Sequence, residues 1–169
     1  MDEKKWYALY TKPRREFKAS LQLDELNITH YLPTITLLKK WSDRKKKVTE
    51  PLFKSYLFIN ADEKERYVAV EQNTIVKTVF FNGKPSVIPD DVIENLKKML
   101  EKTDDVRVIN GIVKGTKVKI ISGPFTGIEG VVQTVSKDEQ ILAVSIDLLN
   151  RSVIVTLPGD YASKDLDKY

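Results

Sequence analysis

Few residues in this chain could do bond chemistry. Among its 169 residues there is one histidine, His30, and no cysteine. His30 falls in a stretch that reads as a strand, and no serine and carboxylate are spaced to build a nucleophile–base–orienter set around it. Without cysteine there is no thiolate nucleophile, disulfide or thiolate metal site, a composition that suits a reducing cytoplasm. No glycine-rich phosphate cradle of the P-loop type occurs. The acidic pairs Asp62-Glu63 and Asp90-Asp91 stand at expected helix starts, where carboxylates complement the helix dipole. The chain is therefore read as a non-enzyme, with no catalytic residue, cofactor or metal. The chemistry to look for is recognition.

Two segments carry recognition chemistry. Lys39, Lys40, Arg44, Lys45, Lys46 and Lys47 fall within nine residues, broken by one acid, Asp43, with Trp41 among them. Cations neutralise phosphates and an indole face stacks on an unpaired base. The segment is thus either a nucleic-acid contact or a solvated tip between two strands. Lys12, Arg14 and Arg15, at the start of the first expected helix, extend the same basic character. The second segment is Gly123-Pro124-Phe125-Thr126-Gly127-Ile128-Glu129-Gly130, a turn built by glycines and a proline. Phe125 and Ile128 flank it either as core or as an exposed binding spot. Leu148 and Leu149, beside Asn150-Arg151, add apolar area nearby.

Charge separates the two halves. Residues 1–102 hold 20 basic and 15 acidic side chains, whereas residues 103–169 hold 8 and 9. A polyanion-facing surface therefore belongs to the first part, and the second suits a protein partner. The apolar fraction of 41% beside 31% charged residues is that of a packed globular chain, not a disordered one. No apolar run approaches the roughly 20 residues of a membrane span, and the N-terminus has no stretch of signal-peptide type. A cytoplasmic protein with no membrane partner is expected.

The elements that must position these segments read as follows. Trp6 to Tyr10 is a strand. Thr11 and Pro13 suit a helix start, and Phe17, Leu21 and Leu26 give a helical stripe over Pro13 to Leu26. Thr29 to Leu37 is a strand, Lys39 to Glu50 a polar connection, and Leu52 to Asn60 a strand whose Phe53, Tyr56 and Phe58 do not share one face. A short helix over Asp62 to Gln72 precedes a strand over Ile75 to Phe81, closed by the turn pair Asn82-Gly83. A last helix starts at Asp90, with Val92, Leu96 and Met99/Leu100 on one stripe. The order is α+β and ferredoxin-like, a split β-α-β arrangement. Residues 102–111 read as a polar linker. Beyond it lie only short strands, Thr116–Ile121, Ile128–Val135, Ile141–Asp147 and Ser152–Leu157, the pattern of a small SH3-like barrel over residues 112–169.

Three local motifs then resemble those of the NusG-type transcription elongation factors, in the family's order and over residues 6 to about 158. Trp6-Tyr7-Ala8-Leu9-Tyr10 resembles the opening strand of the NusG N-terminal domain. Glu50-Pro51-Leu52-Phe53-Lys54-Ser55-Tyr56-Leu57-Phe58 is similar to that domain's PLFPGYVFV strand. Gly115-Thr116-Lys117-Val118 followed by Gly123 to Gly130 resembles the KOW motif of the second domain. Trp41 to Lys46 followed by Glu50 to Phe53, with Phe81 to Pro85 and Ile88-Pro89-Asp90, is closest to the specialised UpxY antiterminators of polysaccharide operons, and more distantly to RfaH. Two departures stand out: Lys54 replaces the usual proline, and Asn73-Thr74-Ile75-Val76 stands where Pro-Gly-Val or Arg-Gly-Val is usual.

The resemblance implies a NusG-like domain over residues 1–101 and a KOW barrel over 112–169. It implies that Tyr10, Phe53 and Tyr56 bind the clamp helices of the RNA polymerase β′ subunit, with the domain bridging toward β and suppressing pausing. The basic residues would face non-template or upstream DNA. Phe125, Ile128, Leu148 and Leu149 would meet ribosomal protein S10, a link a specialised factor keeps, while Rho is the partner expected of housekeeping factors. Two other readings stay open: a housekeeping NusG that acts genome-wide with Rho, and a KOW-containing RNA- or ribosome-binding protein.

Overall fold

The computed structural model describes residues 3–167. The chain divides into two compact units, one ending at Asp90 and the other beginning at Asp91. The first contains β1 (Lys5–Thr11), α1 (Glu16–Glu25), β2 (His30–Tyr31), β3 (Thr34–Lys40), β4 (Lys45–Pro51) and β5 (Tyr56–Ala61). It continues with α2 (Glu63–Val70), β6 (Ile75–Thr78), β7 (Phe80–Phe81), β8 (Lys84–Pro85) and β9 (Val87–Ile88). Its main sheet has the order β2-β5-β1-β6, with β9 also on β1. The α+β class expected from the sequence is the one observed.

Strand alternation decides which face of this sheet is core. Leu9 on β1, with Leu57, Ile59 and Ala61 on β5, packs with Ala19 and Leu23 of α1 and Ala69 of α2. Successive strand residues point to opposite faces. Ala8 and Tyr10, paired with Phe58 and Tyr56, therefore occupy the other face. The sequence reading started the strand at Leu52, but it starts at Tyr56. Phe53 lies in the preceding turn, where Ser55 has a φ of 65°. Tyr56 and Phe58 thus share a face, and Phe53 meets Phe58 edge-on with ring centroids 5.9 Å apart.

Helix α1 departs furthest from expectation. It begins at Glu16 and not Pro13, because Thr11 belongs to β1 and Arg14 takes a left-handed φ of 62°. Its buried stripe is Glu16, Ala19 and Leu23. The expected stripe faces outward, with Phe17 48% and Leu21 63% exposed. The helix start is tied down from outside the helix: the Ser55 N–H donates to Glu16 Oε1 at 2.8 Å. Helix α2 has its own lock. Asp62 accepts from the Glu65 N–H, and the Glu65 side chain accepts from the Asp62 N–H. Such a capping box satisfies two amides that the first turn cannot pair.

The stretch Lys39–Glu50, expected as a polar connection, is mostly strand. β3 and β4 pair from Thr34↔Pro51 to Lys40↔Lys45 as a two-stranded ribbon separate from the main sheet. Thr36 and Thr49 hydroxyls meet across it at 3.0 Å, and Leu37 stands opposite Val48. β7 and β8 form a tight hairpin at Asn82-Gly83, both with positive φ (50° and 74°). That conformation is the one a two-residue type I′ turn requires.

The second unit holds α3 (Asp90–Lys102), β10 (Arg107–Asn110), β11 (Thr116–Ser122), β12 (Glu129–Ser136), β13 (Glu139–Ile146), a short 3-10 turn, β14 (Arg151–Thr156) and β15 (Ala162–Asp165). The strands form one antiparallel sheet of order β10-β14-β13-β12-β11-β15. Arg107–Asn110, read from the sequence as linker, pairs with β14 from Arg107↔Ile154 to Asn110↔Arg151. The polar run Glu101–Asp105 just before it masked Val108 and Ile109 in the sequence. Both faces of β13 are buried: Ile141 and Ala143 pack with Val113 and Ile154, while Leu142, Val144 and Ile146 are buried on the other side. α3 adds a side-chain tie, Asn95 Oδ1 accepting from the Glu129 N–H at 2.8 Å. Among the described residues no helix is long and apolar enough to cross a membrane.

Gly130 sits where strands crowd. A Cβ on it would lie 2.5 Å from the Ala143 carbonyl oxygen, a backbone atom that cannot swing away. Gly130→Ala is expected to cost about 1–3 kcal/mol, the range for forced overpacking. Hydrogen exchange checks this: amides of β12 and β13 should lose protection while those of β1 and β5 keep it.

Candidate functional site

The paired strands β1 and β5 place Tyr10 directly across from Tyr56, with ring centroids 5.4 Å apart and planes tilted by 59°. Both rings are half-buried. Beside them a cleft of about 480 Å³ is lined by the two tyrosines with Lys77, Thr78, Val79 and Phe80. Val79 is held by its N–H donating to the Ala8 carbonyl at 2.9 Å. Phe80 and Phe81 are 51% and 68% exposed. The arrangement is an open aromatic cleft with a cation at its edge, suited to grasping apolar side chains of a partner. Phe53, expected in the same patch, is 4% exposed and supports Phe58 from behind. It can position the patch but offers it little surface.

Phe80 was missed in the sequence. Asn82-Gly83 marked a turn there, but Ile75 to Phe81 read as one continuous strand. The break at Val79 puts both phenylalanines on a short outlying hairpin instead.

The basic residues form two exposed groups within the first unit. Lys12, Arg14 and Arg15 are exposed ahead of α1. Lys39, Lys40, Trp41, Arg44, Lys45, Lys46 and Lys47 are exposed on the ribbon and its tip. The tip closes with the Trp41 N–H donating to the Arg44 carbonyl at 2.7 Å. Lys46 Nζ lies 5.5 Å from the centre of the half-exposed Trp41 ring. Lys39 is paired with the Glu50 carboxylate. Lys40 stands opposite Lys45 and Lys39 opposite Lys46. Like charges opposed across strands are destabilising, so the tip gains from a polyanion that neutralises them.

His30 is structural. Its Nδ1–H donates to the Ile28 carbonyl at 3.0 Å, leaving Nε2 to take the Ser20 hydroxyl at 2.7 Å. Among the described residues no group of three or more His, Asp or Glu could hold a metal.

In the second unit the glycine turn forms with Gly123 and Gly127 at φ of 91° and 89°. Phe125 and Ile128 are 7% and 0% exposed, the core placement of the two that the sequence left open. Pro124 and Thr126 are exposed on the same turn, as is Ile121 beside it. Leu148 and Leu149 are half-buried next to Asn150, whose left-handed φ of 49° ends the 3-10 turn.

The sequence pattern of one protein family, described as "Transcription termination factor nusG", matches residues 4–97. A curated relative, "Transcription termination/antitermination protein NusG" of Staphylococcus carnosus (strain TM300), is 29% identical, covering 95% of this chain and 96% of its own length. The protein of the same name from Staphylococcus aureus (strain Mu50 / ATCC 700699) is also 29% identical with the same coverage. A solved structure described as domain interaction in Thermotoga maritima NusG covers 92% of this chain and 93% of its own at 24% identity, with a TM-score of 0.46. The matched residues 4–97 are more than half of the chain and include every strand that builds the aromatic cleft. The chain belongs to the NusG family of transcription termination and antitermination factors.

Proposed function

We propose that this chain rides on RNA polymerase as an elongation and antitermination factor, binding the β′ clamp helices, bridging toward β and suppressing pausing at specific operons, polysaccharide biosynthesis among them. The carrying observation is the cleft where Tyr10 and Tyr56 stand side by side next to Phe80. Two helices of a coiled coil present apolar side chains at regular spacing, and rigid aromatic anchors take up most of the energy of such a contact. Tyr56→Ala and Phe80→Ala are each expected to weaken binding to core polymerase by about 30-fold, roughly 2 kcal/mol. Titration of labelled protein into polymerase measures this. Unchanged affinity in both folded variants would move the docking surface elsewhere.

The ribbon supplies the nucleic-acid contact in this reading, reaching non-template or upstream DNA through Lys40 and Arg44–Lys47, with Lys12, Arg14 and Arg15 on the same unit. A single-strand contact loses affinity with salt at a slope of about −0.7 per phosphate neutralised. Neutralising Arg44, Lys45, Lys46 and Lys47 together should flatten the slope by about 2–3 on an elongation complex. An unaltered slope would return the ribbon to a solvated projection.

The second unit is the proposed adaptor for ribosomal protein S10. With Phe125 and Ile128 buried, the contact falls to the exposed rim, Ile121, Pro124 and Thr126, and to the half-buried Leu148 and Leu149. Amide NMR of the whole chain titrated with S10 should shift resonances of the 121–127 turn, and titration with Rho should not. A response to Rho as strong as to S10 favours the housekeeping reading. That reading has one observation of its own, the end-to-end match to staphylococcal NusG. Genome-wide occupancy that follows polymerase everywhere would establish it; restriction to a few operons supports the specialised factor.

A further inference from the structure

The β7–β8 hairpin that carries Phe80 and Phe81 turns on Asn82-Gly83, one of two Asn-Gly pairs in the chain; the other is Asn110-Gly111. An asparagine followed by glycine can react with its own backbone, because glycine has no Cβ to shield the attacking nitrogen. We propose that Asn82 is a site of spontaneous deamidation whose isoaspartyl product carries Phe80 away from the aromatic cleft, while the fold holds Asn110 unreactive. The reaction depends only on the hairpin and not on what the cleft binds.

The step needs only water. The Gly83 nitrogen bonds to Asn82 Cγ, and its proton passes through solvent to the departing group. The bond from Cγ to the side-chain nitrogen breaks, and that nitrogen leaves as ammonia. Water then opens the succinimide ring. Breaking the new bond at Cγ gives aspartate. Breaking the original peptide bond gives isoaspartate, with the main chain now running through Cβ and Cγ.

The two pairs differ in what holds the attacking nitrogen. Asn82 and Gly83 are exposed, with φ of 50° and 74°, and a Cβ on Gly83 would meet nothing within 4 Å. Among the described residues neither the Gly83 N–H nor the Asn82 side chain has a hydrogen-bond partner. The hairpin pairs only Phe80 with Pro85 and Phe81 with Lys84 in a sheet of its own, with one further bond from the Ser86 N–H to the Val79 carbonyl at 3.1 Å. A lone two-stranded hairpin is marginal, and both phenylalanines are exposed, so this one opens at little cost. Opening frees Asn82 from its left-handed conformation and lets Cγ reach the nitrogen. Asn110 is exposed too, but the Gly111 N–H donates to the Asn150 carbonyl at 2.8 Å and the Gly111 carbonyl accepts from the Ser152 hydroxyl at 2.8 Å. Asn110 also ends a ladder that pairs with β14 from Arg107 onward.

The product alters the cleft. Phe80 lines it with Tyr10 and Tyr56, on a hairpin whose register is set by a two-residue loop. A type I′ loop fits two residues of ordinary backbone length. An added methylene breaks that register, and a carboxylate stands where an amide was.

The test incubates the full chain at mildly alkaline pH and follows both sites by mass spectrometry of its peptides, with electron-transfer fragmentation to separate isoaspartate from aspartate. Asn82 is expected to convert at least about 10-fold faster than Asn110, the scale of one retained hydrogen bond in a ladder that must open. In denaturing urea the two rates should converge. Asn82→Gln, whose longer side chain closes a less favourable ring, should abolish conversion at that position and leave Asn110 as it was. The NMR resonances of Phe80 should shift as the unaltered chain ages, and those of Asn82→Gln should stay constant through the same incubation. Conversion of Asn110 as fast as Asn82 in the folded chain, or of neither, overturns the site. A rate difference that persists in urea overturns the part given to the fold. Isoaspartate at position 82 with Phe80 resonances unmoved overturns the displacement from the cleft.

Discussion

The antiparallel pairing of β1 with β5 sets everything else in the first unit. Its register puts Leu9 against Leu57 and, one step along, Tyr10 against Tyr56. Because side chains alternate, the step that buries the leucines under α1 and α2 also turns the tyrosines to the opposite face. Each buried leucine is worth about 1.5–3 kcal/mol relative to exposure. A slip of one residue would bring the tyrosines into the core and the leucines out of it. The aromatic site thus draws its rigidity from the core behind it. Thr11 ends the strand and forces α1 to start late, which leaves Arg14 in its left-handed conformation and Phe17 outside the core.

The second unit solves a different problem. Five of the eight residues of β13 are buried and the other three half-buried, so this central strand has little freedom to present side chains. The unit's exposed side chains lie mostly at the turns and edges. The Gly123–Gly127 turn is built from below, with Phe125 and Ile128 anchored inward and the Gly127 N–H donating to the Ile120 carbonyl at 2.8 Å. What it leaves exposed is its backbone and the rim residues Ile121, Pro124 and Thr126.

Much of this was legible in the sequence, for reasons that are local. Trp6 to Tyr10 and Leu57 to Asn60 are dense in strand-forming residues, Asn82-Gly83 admits few conformations other than a tight turn, and the four inner strands of the second unit are rich in β-branched residues and separated by short turns. The failures share a cause in tertiary contact. Phe17 and Leu21 have helical spacing, yet Ala19 and Leu23 fit closer against β5, so the larger side chains were displaced outward. Arg107–Asn110 follows a polar run that reads as linker, and it is a strand through its pairing with β14. Phe80 could not be separated from its neighbours without the break at Val79. Of the aromatic site, Tyr10 and Tyr56 were readable from motif alone; the burial of Phe53 depended on where β5 began. The basic residues were all readable, since charge near a turn seldom lies anywhere but outside.

Among the described residues the ribbon β3–β4 shares no ladder with the main sheet, and its base is tied in where the Leu52 N–H donates to the Pro33 carbonyl at 2.8 Å. Its length is therefore free of the core's register. Adding one residue to each strand would move the Trp41 tip outward by about 3.3 Å and leave Tyr10, Tyr56 and Phe80 where they stand. Within a lineage the ribbon can act as an adjustable ruler, setting how far its basic tip stands from the tyrosine pair.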